Sequence, residues 1–386
     1  MKEGWRYEKL DDLGTIVTGA TPSTNDESNY FPKEYCFVKP SDLPLNGVGS
    51  IHETENYVSS KGLSVSRPLP AGSVLTTCIG TIGKVGLLLQ EGCTNQQINA
   101  VIPNNKINSR YLAYALLSIR KQLEFIANAP VVPIINKKSF SKIHIGYPPK
   151  PTQLSIVSEL DKLNELIRIK KEQLKDYDTL AQSIFYEMFG DPVVNEKGWE
   201  VKKLKDISRK IGDGLHGTPE YSELDTGWYF INGNNLENGC ISIKSTTKKV
   251  TDFVRKKYYV EMDDFTLLVS INGTLGKSAF YNGENVILGK SACYIKLNKD
   301  VNKLFIYEII RGEYFKRYAE SVCTGTTIRN VSLKAMREFP IIYPPLPLQH
   351  SFAQKIEQIE QQKAAIQKTI TDLETLLAAR MQYWFD

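Results

Sequence analysis

The sequence predicts an α+β protein built from two pseudo-symmetric repeats. Each repeat is a mixed α/β domain followed by a long helix, and the two helices pack as an antiparallel coiled coil. Three observations predict this architecture: short β-like runs between Gly, Asn and Pro turns, a heptad pattern after each globular part, and internal repetition at a nearly constant offset. The chain has 386 residues, 41% of them apolar, which is enough for two or three domains with cores of their own.

The repetition sets the order of the parts. Gly4-Trp5 returns as Gly198-Trp199, Gly80-Thr81-Ile82-Gly83-Lys84 as Gly273-Thr274-Leu275-Gly276-Lys277, and Tyr147-Pro148-Pro149 as Tyr343-Pro344-Pro345. Landmarks that keep one register along a whole chain indicate the duplication of one unit. We therefore predict a first globular domain over 1–147, a central helix over 148–191, a second globular domain over 192–343 and a C-terminal helix over 344–386.

Both globular segments mix strand-like and helix-like stretches. Val74-Leu75-Thr76-Thr77 in the first and Phe265–Val269 in the second have the composition of short strands. A helix-like stretch follows in each segment, over Tyr111–Leu123 and over Phe305–Tyr318. This mixture, with its many Gly, Asn and Pro turns, indicates the α+β class.

After each Tyr-Pro-Pro the pattern changes to apolar residues at alternating spacings of four and three. The pattern lasts for more than four heptads in each copy, which favours a coiled coil over an ordinary amphipathic helix. The predicted seam consists of Ile156, Leu160, Leu163, Ile167, Leu174, Ile356, Ile359, Ile366, Ile370 and Leu373. Lys170 and Lys363 also occupy seam positions, where a polar residue can fix register and orientation.

The linker after the first helix is short, so we expect the chain to double back and the helices to run antiparallel. A helix over Thr152–Phe189 would be about 57 Å long at about 1.5 Å per residue, the length of about 17 base pairs of DNA. Apolar residues outside the seam suggest obligatory partner subunits. These residues are Leu166, Ile169, Leu180, Phe185, Leu376 and Met381.

The positive charge lies in the globular segments. Residues 1–147 and 192–343 carry net charges of +3 and +5, whereas 148–191 and 344–386 carry −2 and −1. An ordinary solvated surface can show the same bias, but combined with the duplication it suggests a polyanion contacted at two places.

Candidate contact residues are polar or cationic and lie in turns or loops. Amide side chains and arginine suit base edges, and lysine suits phosphates. The candidates are Lys84, Asn95, Gln96, Gln97, Asn136, Lys137, Lys138, Lys277, Thr326, Thr327, Arg329 and Asn330. We expect residues 135–139 and 325–330 to be equivalent between the copies. Turn formation and surface solvation are the structural alternatives for these residues.

In the order of its motifs the chain resembles the specificity (S) subunits, the HsdS family, of type I restriction–modification systems. The resemblance covers essentially the whole chain. It rests on Thr18–Ser23 and Gly217-Thr218-Pro219, on the two Gly-Thr-x-Gly-Lys loops, on Tyr-Pro-Pro followed by Gln153 or Gln349, and on the closing Met188–Pro192 and Trp384-Phe385.

The resemblance implies two target recognition domains, each reading half of an asymmetric bipartite DNA sequence. The helices would space them and dock modification (methyltransferase) subunits, which restriction subunits then join. Catalysis, S-adenosylmethionine, ATP and magnesium would belong to those partners, and this chain would be non-catalytic and hold no cofactor. The alternative hypothesis is a non-catalytic coiled-coil adaptor that binds protein ligands. A free-standing enzyme is a third hypothesis.

Several site classes find no support in the sequence. The six cysteines and four histidines show no zinc-ligand spacing, so we expect neither a metal site nor disulfides. Gly276-Lys277-Ser278 and Gly289-Lys290-Ser291 lack the earlier glycine of a phosphate-binding loop, because Ile271 and Glu284 stand there. No apolar stretch approaches the roughly 18 residues of a membrane span, and the first residues lack a signal-peptide pattern. We expect a cytoplasmic protein.

Overall fold

A computed structural model describes residues 2, 4–127, 132–324 and 329–386. The chain forms two compact units. Unit 1 consists of Met1–Glu172 and Ile366–Asp386, and unit 2 consists of Gln173–Ala365. None of the helices in the described ranges is both long enough and apolar enough to cross a membrane.

Unit 1 contains short strands, short helices and parts of two long helices. Its strands are β1 (Arg6–Lys9), β2 (Gly14–Thr18), β3 (Tyr35–Val38), β4 (Val48–Ile51), β5 (Tyr57–Val58), β6 (Val74–Thr77), β7 (Val85–Leu88), β8 (Gly92–Thr94), β9 (Ile98–Pro103) and β10 (His144–Tyr147). Its short helices are α1 (Leu10–Leu13), α2 (Ser60–Val65), α3 (Ser109–Ser118), α4 (Arg120–Ile126) and α5 (Lys137–Ser141), and the long helix α6 (Lys150–Phe189) begins here.

The strands of unit 1 form a five-stranded sheet in the order β2-β9-β6-β7-β4, a three-stranded sheet β5-β3-β8 and a two-stranded sheet β1-β10. In the five-stranded sheet only the outer pair β4–β7 is parallel. Every residue of β6 is buried, which is typical of a central strand covered on both faces. The predicted strand Val74–Thr77 coincides with β6.

Unit 2 repeats this arrangement. Its strands are β11 (Val201–Lys203), β12 (Ser208–Gly212), β13 (Tyr221–Ser222), β14 (Tyr229–Ile231), β15 (Leu236–Glu237), β16 (Cys240–Ile241), β17 (Lys249–Val250), β18 (Thr266–Ser270), β19 (Ser278–Phe280), β20 (Val286–Leu288), β21 (Ala292–Leu297) and β22 (Pro340–Ile342). Its helices are α7 (Asp252–Tyr258), α8 (Lys303–Arg311), α9 (Glu313–Val322), α10 (Leu333–Glu338) and the first part of α11 (Leu346–Phe385).

The sheets of the two units share one topology. The order β12-β21-β18-β19 in unit 2 matches β2-β9-β6-β7 in unit 1, and the parallel pair β14–β20 matches the parallel pair β3–β8. Unit 2 also has a sheet β13-β17-β14-β20, and the two-stranded sheets β11-β22 and β15-β16. The predicted duplication and the α+β class are therefore confirmed.

Each predicted globular helix is in fact two helices. In unit 1 the break between α3 and α4 lies at Ile119, whose backbone leaves helical geometry at φ −90° and ψ 16°. In unit 2 it lies at Gly312, where ψ of 167° extends the chain. Apolar periodicity continues across both breaks because both helices of each pair face the same core, so periodicity alone does not reveal the break.

The long helices pair antiparallel within each unit. In unit 1 Arg380 forms an ion pair with Glu159, and Lys171 Nζ lies 2.7 Å from Glu374 Oε1, so residue numbers fall on α11 as they rise on α6. In unit 2 the Lys363 Nζ–Asp178 Oδ1 distance is 2.9 Å. The predicted antiparallel packing is thus confirmed. Among the proposed seam residues Ile156, Leu160, Ile167, Ile356, Ile359 and Ile370 are buried, and Leu163, Leu174, Ile366 and Leu373 are half-buried.

One prediction about the outer helix faces is wrong. Phe185 is buried, because α8 and α11 surround it in unit 2, where its ring lies 6.1 Å from that of Phe305 and 5.7 Å from that of Phe352. Met381 is partly buried against the core of unit 1. The remaining outward apolar residues are exposed: Leu166, Ile169, Leu180 and Leu376.

A buried glutamine explains why Tyr-Pro-Pro is followed by Gln at the start of each long helix. Gln153 is fully buried; its Nε2 donates to the carbonyls of Pro148 (2.9 Å) and Lys106 (3.1 Å), and its Oε1 accepts from the amide of Asn108 (2.8 Å). Asn108 is the N-cap of α3. The glutamine therefore ties the start of α6 to the start of α3.

The second copy repeats this joint. Gln349 Nε2 donates to the carbonyl of Pro344 (2.8 Å), and its Oε1 accepts from the amide of Asn302 (3.1 Å), the N-cap of α8.

Candidate functional site

The candidate residues of unit 1 lie on three backbone segments that run side by side at the carboxyl end of β6. The amide of Ile135 donates to the carbonyl of Cys78 (2.8 Å), and the amide of Cys78 donates to the carbonyl of Gln97 (2.8 Å). The amide of Gly80 donates to the carbonyl of Pro133 (3.1 Å). We call this surface the polar edge of unit 1; it comprises the turn 95–98, the loop 80–84 and the segment 132–138.

In the turn, two of the three predicted amide side chains are used by the fold. Asn95 is buried; its Oδ1 accepts from the amide of Gln97 (3.1 Å) and its Nδ2 donates to Gln97 Oε1 (2.9 Å). Gln96 is exposed, and its Oε1 accepts from Thr21 Oγ1 (2.7 Å). The turn therefore presents Gln96 to solvent, together with its hydrogen-bond partner Thr21.

The loop between β6 and β7 is held by Thr77. Its Oγ1 donates to the carbonyl of Thr81 (2.5 Å) and accepts from the amide of Lys84 (3.0 Å). Gly80 and Gly83 have φ of +77° and +76°, which favour glycine, so both glycines serve the turn. Lys84 is half-buried and its Nζ donates to the carbonyl of Pro40 (2.7 Å).

The third segment leads into α5. Asn136 Oδ1 accepts from the amide of Ser139 (2.9 Å) and so caps that helix. Lys137 and Lys138 follow in its first turn and are exposed. Sequence reasoning identified these three residues together, and the structure separates the helix cap from the two solvent-facing ammonium groups.

Unit 2 contains the same backbone ladder. The amide of Val331 donates to the carbonyl of Ile271 (2.8 Å), and the amide of Ile271 donates to the carbonyl of Ser291 (3.1 Å). The amide of Gly273 donates to the carbonyl of Arg329 (2.9 Å). The polar edge of unit 2 therefore comprises the turn 289–292, the loop 273–277 and the segment 329–334.

The ladder corrects the expected equivalence between the copies. Residues 135–139 correspond to 331–335, not to 325–330, because Ile135 and Val331 make the same backbone bond and Asn136 and Ser332 both cap the next helix. Arg329 thus corresponds to Pro133. The expected equivalence was wrong because it compared the polar composition of the segments. The equivalent segments differ in composition, and only their backbone hydrogen bonds show which residues correspond.

The polar edge of unit 2 carries more cations. Lys290 is exposed at the position of Gln96, and Lys277 is half-buried in the loop. Arg329 is exposed and its Nη1 lies 2.9 Å from Glu320 Oε1, while Asn330 is half-buried. The remaining candidates, Thr326 and Thr327, lie outside the described residues.

The turn of unit 2 is held differently from that of unit 1. Gly289 takes the place of Asn95, and Asn232 Oδ1 accepts from Ser291 Oγ (3.0 Å). A Cβ on Gly289 would lie 2.2 Å from that Asn232 Oδ1, so the neighbouring amide occupies the space of the missing side chain. Lys290 is not among the predicted contact residues; the equivalent backbone bonds of Gln97 and Ser291 identify it as the counterpart of Gln96.

The chemistry of the two edges is that of hydrogen bonding and positive charge. Burial raises the pKa of the Cys78 thiol behind the edge to about 12, so this cysteine stays neutral. Within the described ranges no cluster of three or more His, Cys, Asp or Glu side chains is placed to hold a metal ion, and all six cysteines are free. Exposed amide, hydroxyl, ammonium and guanidinium groups match base edges and phosphates.

Comparison with known proteins gives a consistent result. Residues 2–176 and 196–375 match the family described as "Type I restriction modification DNA specificity domain". The MjaIX specificity subunit of Methanocaldococcus jannaschii is 25% identical over 96% of this chain and 90% of its own length. The HindI specificity subunit of Haemophilus influenzae is 32% identical over 38% of this chain and 32% of its own length.

Two solved structures share the fold. The crystal structure of the type I restriction–modification system S subunit from M. genitalium aligns with a TM-score of 0.55 at 14% identity, over 99% of this chain and 96% of that one. A chain from a structural study of complex assembly and conformational transition of the type I R-M system aligns with a TM-score of 0.63 at 17% identity, over 100% and 98%.

Proposed function

Because this chain belongs to the family of type I restriction–modification DNA specificity domains and contains two copies of that domain, we propose that it is the DNA sequence-specificity subunit of a type I restriction–modification complex. The polar edge of each unit reads one half of an asymmetric bipartite site in double-stranded DNA. The paired helices set the spacing of the halves and dock the modification (methyltransferase) subunits, to which restriction subunits add.

One observation carries the proposal in this form. The two units present their polar edges on the same backbone ladder, yet equivalent positions carry Gln96 and Lys290, or Pro133 and Arg329. A shared backbone with different donors and acceptors is suited to two readers of one kind that recognise different bases. The target is therefore not a palindrome.

The chain is proposed to be non-catalytic. Its polar edges supply groups for recognition, and S-adenosylmethionine, ATP and magnesium act on the partner subunits. The complex works in the cytoplasm.

The test is the methylation pattern that the chain directs. The chain is expressed with its modification subunits in a host without other adenine methylation, and the genome is read by single-molecule sequencing. We expect one methylated motif of two different short half-sites with an unread gap. Absence of any motif that depends on the chain, with the partner subunits shown to be active, contradicts the proposal and favours the adaptor.

Two single substitutions test the assignment of edges to half-sites. We expect Gln96→Ala to lower methylation, by about tenfold in rate, or to relax the motif in one half only, and Lys290→Ala to do so in the other half only, since one bidentate base contact contributes about 1–3 kcal/mol. Gln122→Ala and Lys299→Ala are matched controls, because both residues are exposed and lie outside the polar edges. Equal effects of both variants on both halves would contradict the assignment.

A further inference from the structure

A strongly basic surface lies in unit 2 beside the polar edge. Residues 244–257 contain Lys244, Lys248, Lys249, Arg255, Lys256 and Lys257, against the single carboxylate of Asp252. These residues span β17 and α7, and we call them the basic face. The equivalent stretch of unit 1, residues 52–65 with β5 and α2, has Lys61 against Glu53 and Glu55. The basic face is thus a property of unit 2 and not of the repeated fold.

Half of these cations are not neutralised. Lys244 pairs with Glu237 (2.8 Å), Lys249 with Asp225 (3.2 Å) and Arg255 with Asp252 (3.5 Å). In the part of the chain that the structure describes, Lys248, Lys256 and Lys257 form no ion pair, and all three are exposed. Unpaired ammonium groups on one surface create a positive potential that attracts a polyanion.

Aromatic rings support this surface. The Arg255 guanidinium lies 5.3 Å from the ring centroid of Trp228, and Lys257 Nζ lies 5.6 Å from that of Phe253 and 5.2 Å from that of Tyr258. Rings under a cation restrict its position, so part of the ordering that binding requires is already present in the free chain.

The basic face is continuous with the polar edge. The amide of Lys290 donates to the carbonyl of Leu215 (3.0 Å). The Leu215 side chain packs against a small apolar cluster, as do Trp228 and Tyr258. The buried residues of this cluster include Val254 of α7. Leu215 therefore joins the turn 289–292 to the apolar cluster that packs under α7, so that α7 lies close to this turn.

We infer that the basic face is a second, sequence-independent contact surface of unit 2 for the phosphates of duplex DNA. This inference rests on the proposed function and adds to it that the two half-sites are held unequally. Unit 1 binds through its polar edge, whereas unit 2 gains further phosphate contacts through Lys248, Lys256 and Lys257. Phosphate contacts release counterions and so make binding salt-dependent without reading bases.

The test uses the complex of the full chain with its modification subunits. Duplex binding is measured by fluorescence anisotropy over a series of salt concentrations, for the wild type and for the triple variant K248Q/K256Q/K257Q. The slope of log K against log salt is negative, and each lost phosphate contact brings it about 0.9 closer to zero. We therefore expect the triple variant to have a slope about 2.7 less steep than that of the wild type, with the methylated motif unchanged. The matched control K9Q/K33Q/K121Q removes three exposed lysines of unit 1 and should leave the slope as it is.

A triple variant with the slope of the wild type overturns the inference, as it would if the surface serves an acidic protein instead. A changed motif overturns it too, since the face would then read bases. Should the triple variant fail to fold, K256Q alone is expected to make the slope less steep by about 0.9. Absence of duplex binding and of a methylated motif in the wild type is a different result, and it contradicts the proposed function itself.

Discussion

Replacing Gln153 by leucine should destabilise unit 1 at one identifiable place. The substitution keeps the side chain buried and similar in size but removes all its hydrogen-bonding atoms. Three bonds are lost, to the carbonyls of Pro148 and Lys106 and from the amide of Asn108. The equivalent change, Gln349→Leu, removes two bonds in unit 2, with Pro344 and Asn302.

The magnitudes follow from these bonds. A buried hydrogen bond contributes about 1 kcal/mol net, and a buried donor left without an acceptor costs about 1–3 kcal/mol. Gln153→Leu should therefore cost about 3–4 kcal/mol and Gln349→Leu about 2–3 kcal/mol. Either value is a large part of the roughly 5–15 kcal/mol that stabilises a typical domain.

Amide hydrogen exchange measured by mass spectrometry shows which helix loses protection in each variant. Gln153→Leu should lower protection most at the start of α3, where Asn108 is the cap, and leave α8 as in the wild type; Gln349→Leu should do the reverse. A loss of protection below about 1 kcal/mol at α3, or an equal loss at α3 and α8, would refute the reasoning that these glutamines act as local joints. Glutamate at either position is the harsher comparison, since a carboxylate there cannot donate to the carbonyls.

Further predictions concern the ion pairs and the core of unit 2. Burial raises the pKa of Glu308 to about 7 despite the Arg311 guanidinium 3.5 Å away, so the folded chain holds a proton that the unfolded chain releases near pH 4.5. Stability should therefore fall by about 3 kcal/mol as pH rises from about 4.5 to about 7, and urea titrations of Glu308→Gln should show no such fall. Phe352→Ala removes a fully buried ring and should cost about 3–5 kcal/mol by pulse proteolysis, and an unchanged midpoint would contradict the packing. Changing Lys170 and Lys363 together to Ile should give higher-order oligomers on a sizing column, because polar seam residues disfavour pairing of like helices; an unchanged elution volume would speak against that role.

Much of the architecture could be predicted from the sequence because it depends on periodicity and repetition. The strand Val74–Thr77 and the two long helices were predicted in this way. Two consecutive helices that face the same core have the same apolar periodicity as one longer helix. Periodicity therefore did not reveal the breaks at Ile119 and Gly312. Phe185 was placed on an outer face for a related reason: a heptad describes contacts between two helices, and here a third, α8, covers that side.

The candidate site could be predicted by segment but not by side chain. The structure brings the predicted segments of each unit to one edge. However, the side-chain oxygens of Asn95 and Asn136 accept hydrogen bonds from nearby backbone amides, whereas that of Gln96 does not. All three side chains end in the same amide group, and only the three-dimensional surroundings decide whether its oxygen bonds to the local backbone or, as in Gln96, to an exposed side chain. Lys290 was missed because the landmarks on either side have offsets of 193 and 196, and only the backbone register identifies it as the equivalent of Gln96.

The two ways of holding the edge turn have an evolutionary consequence. In unit 1 Asn95 braces the turn from within, and in unit 2 Asn232 braces it from an adjacent strand end, so that Gly289 has no room for a side chain. In both units the residue that braces the turn is therefore a different residue from the exposed one. Selection for a new target can change residue 96 or 290 by single substitutions while the brace, and with it the loop conformation, is inherited intact.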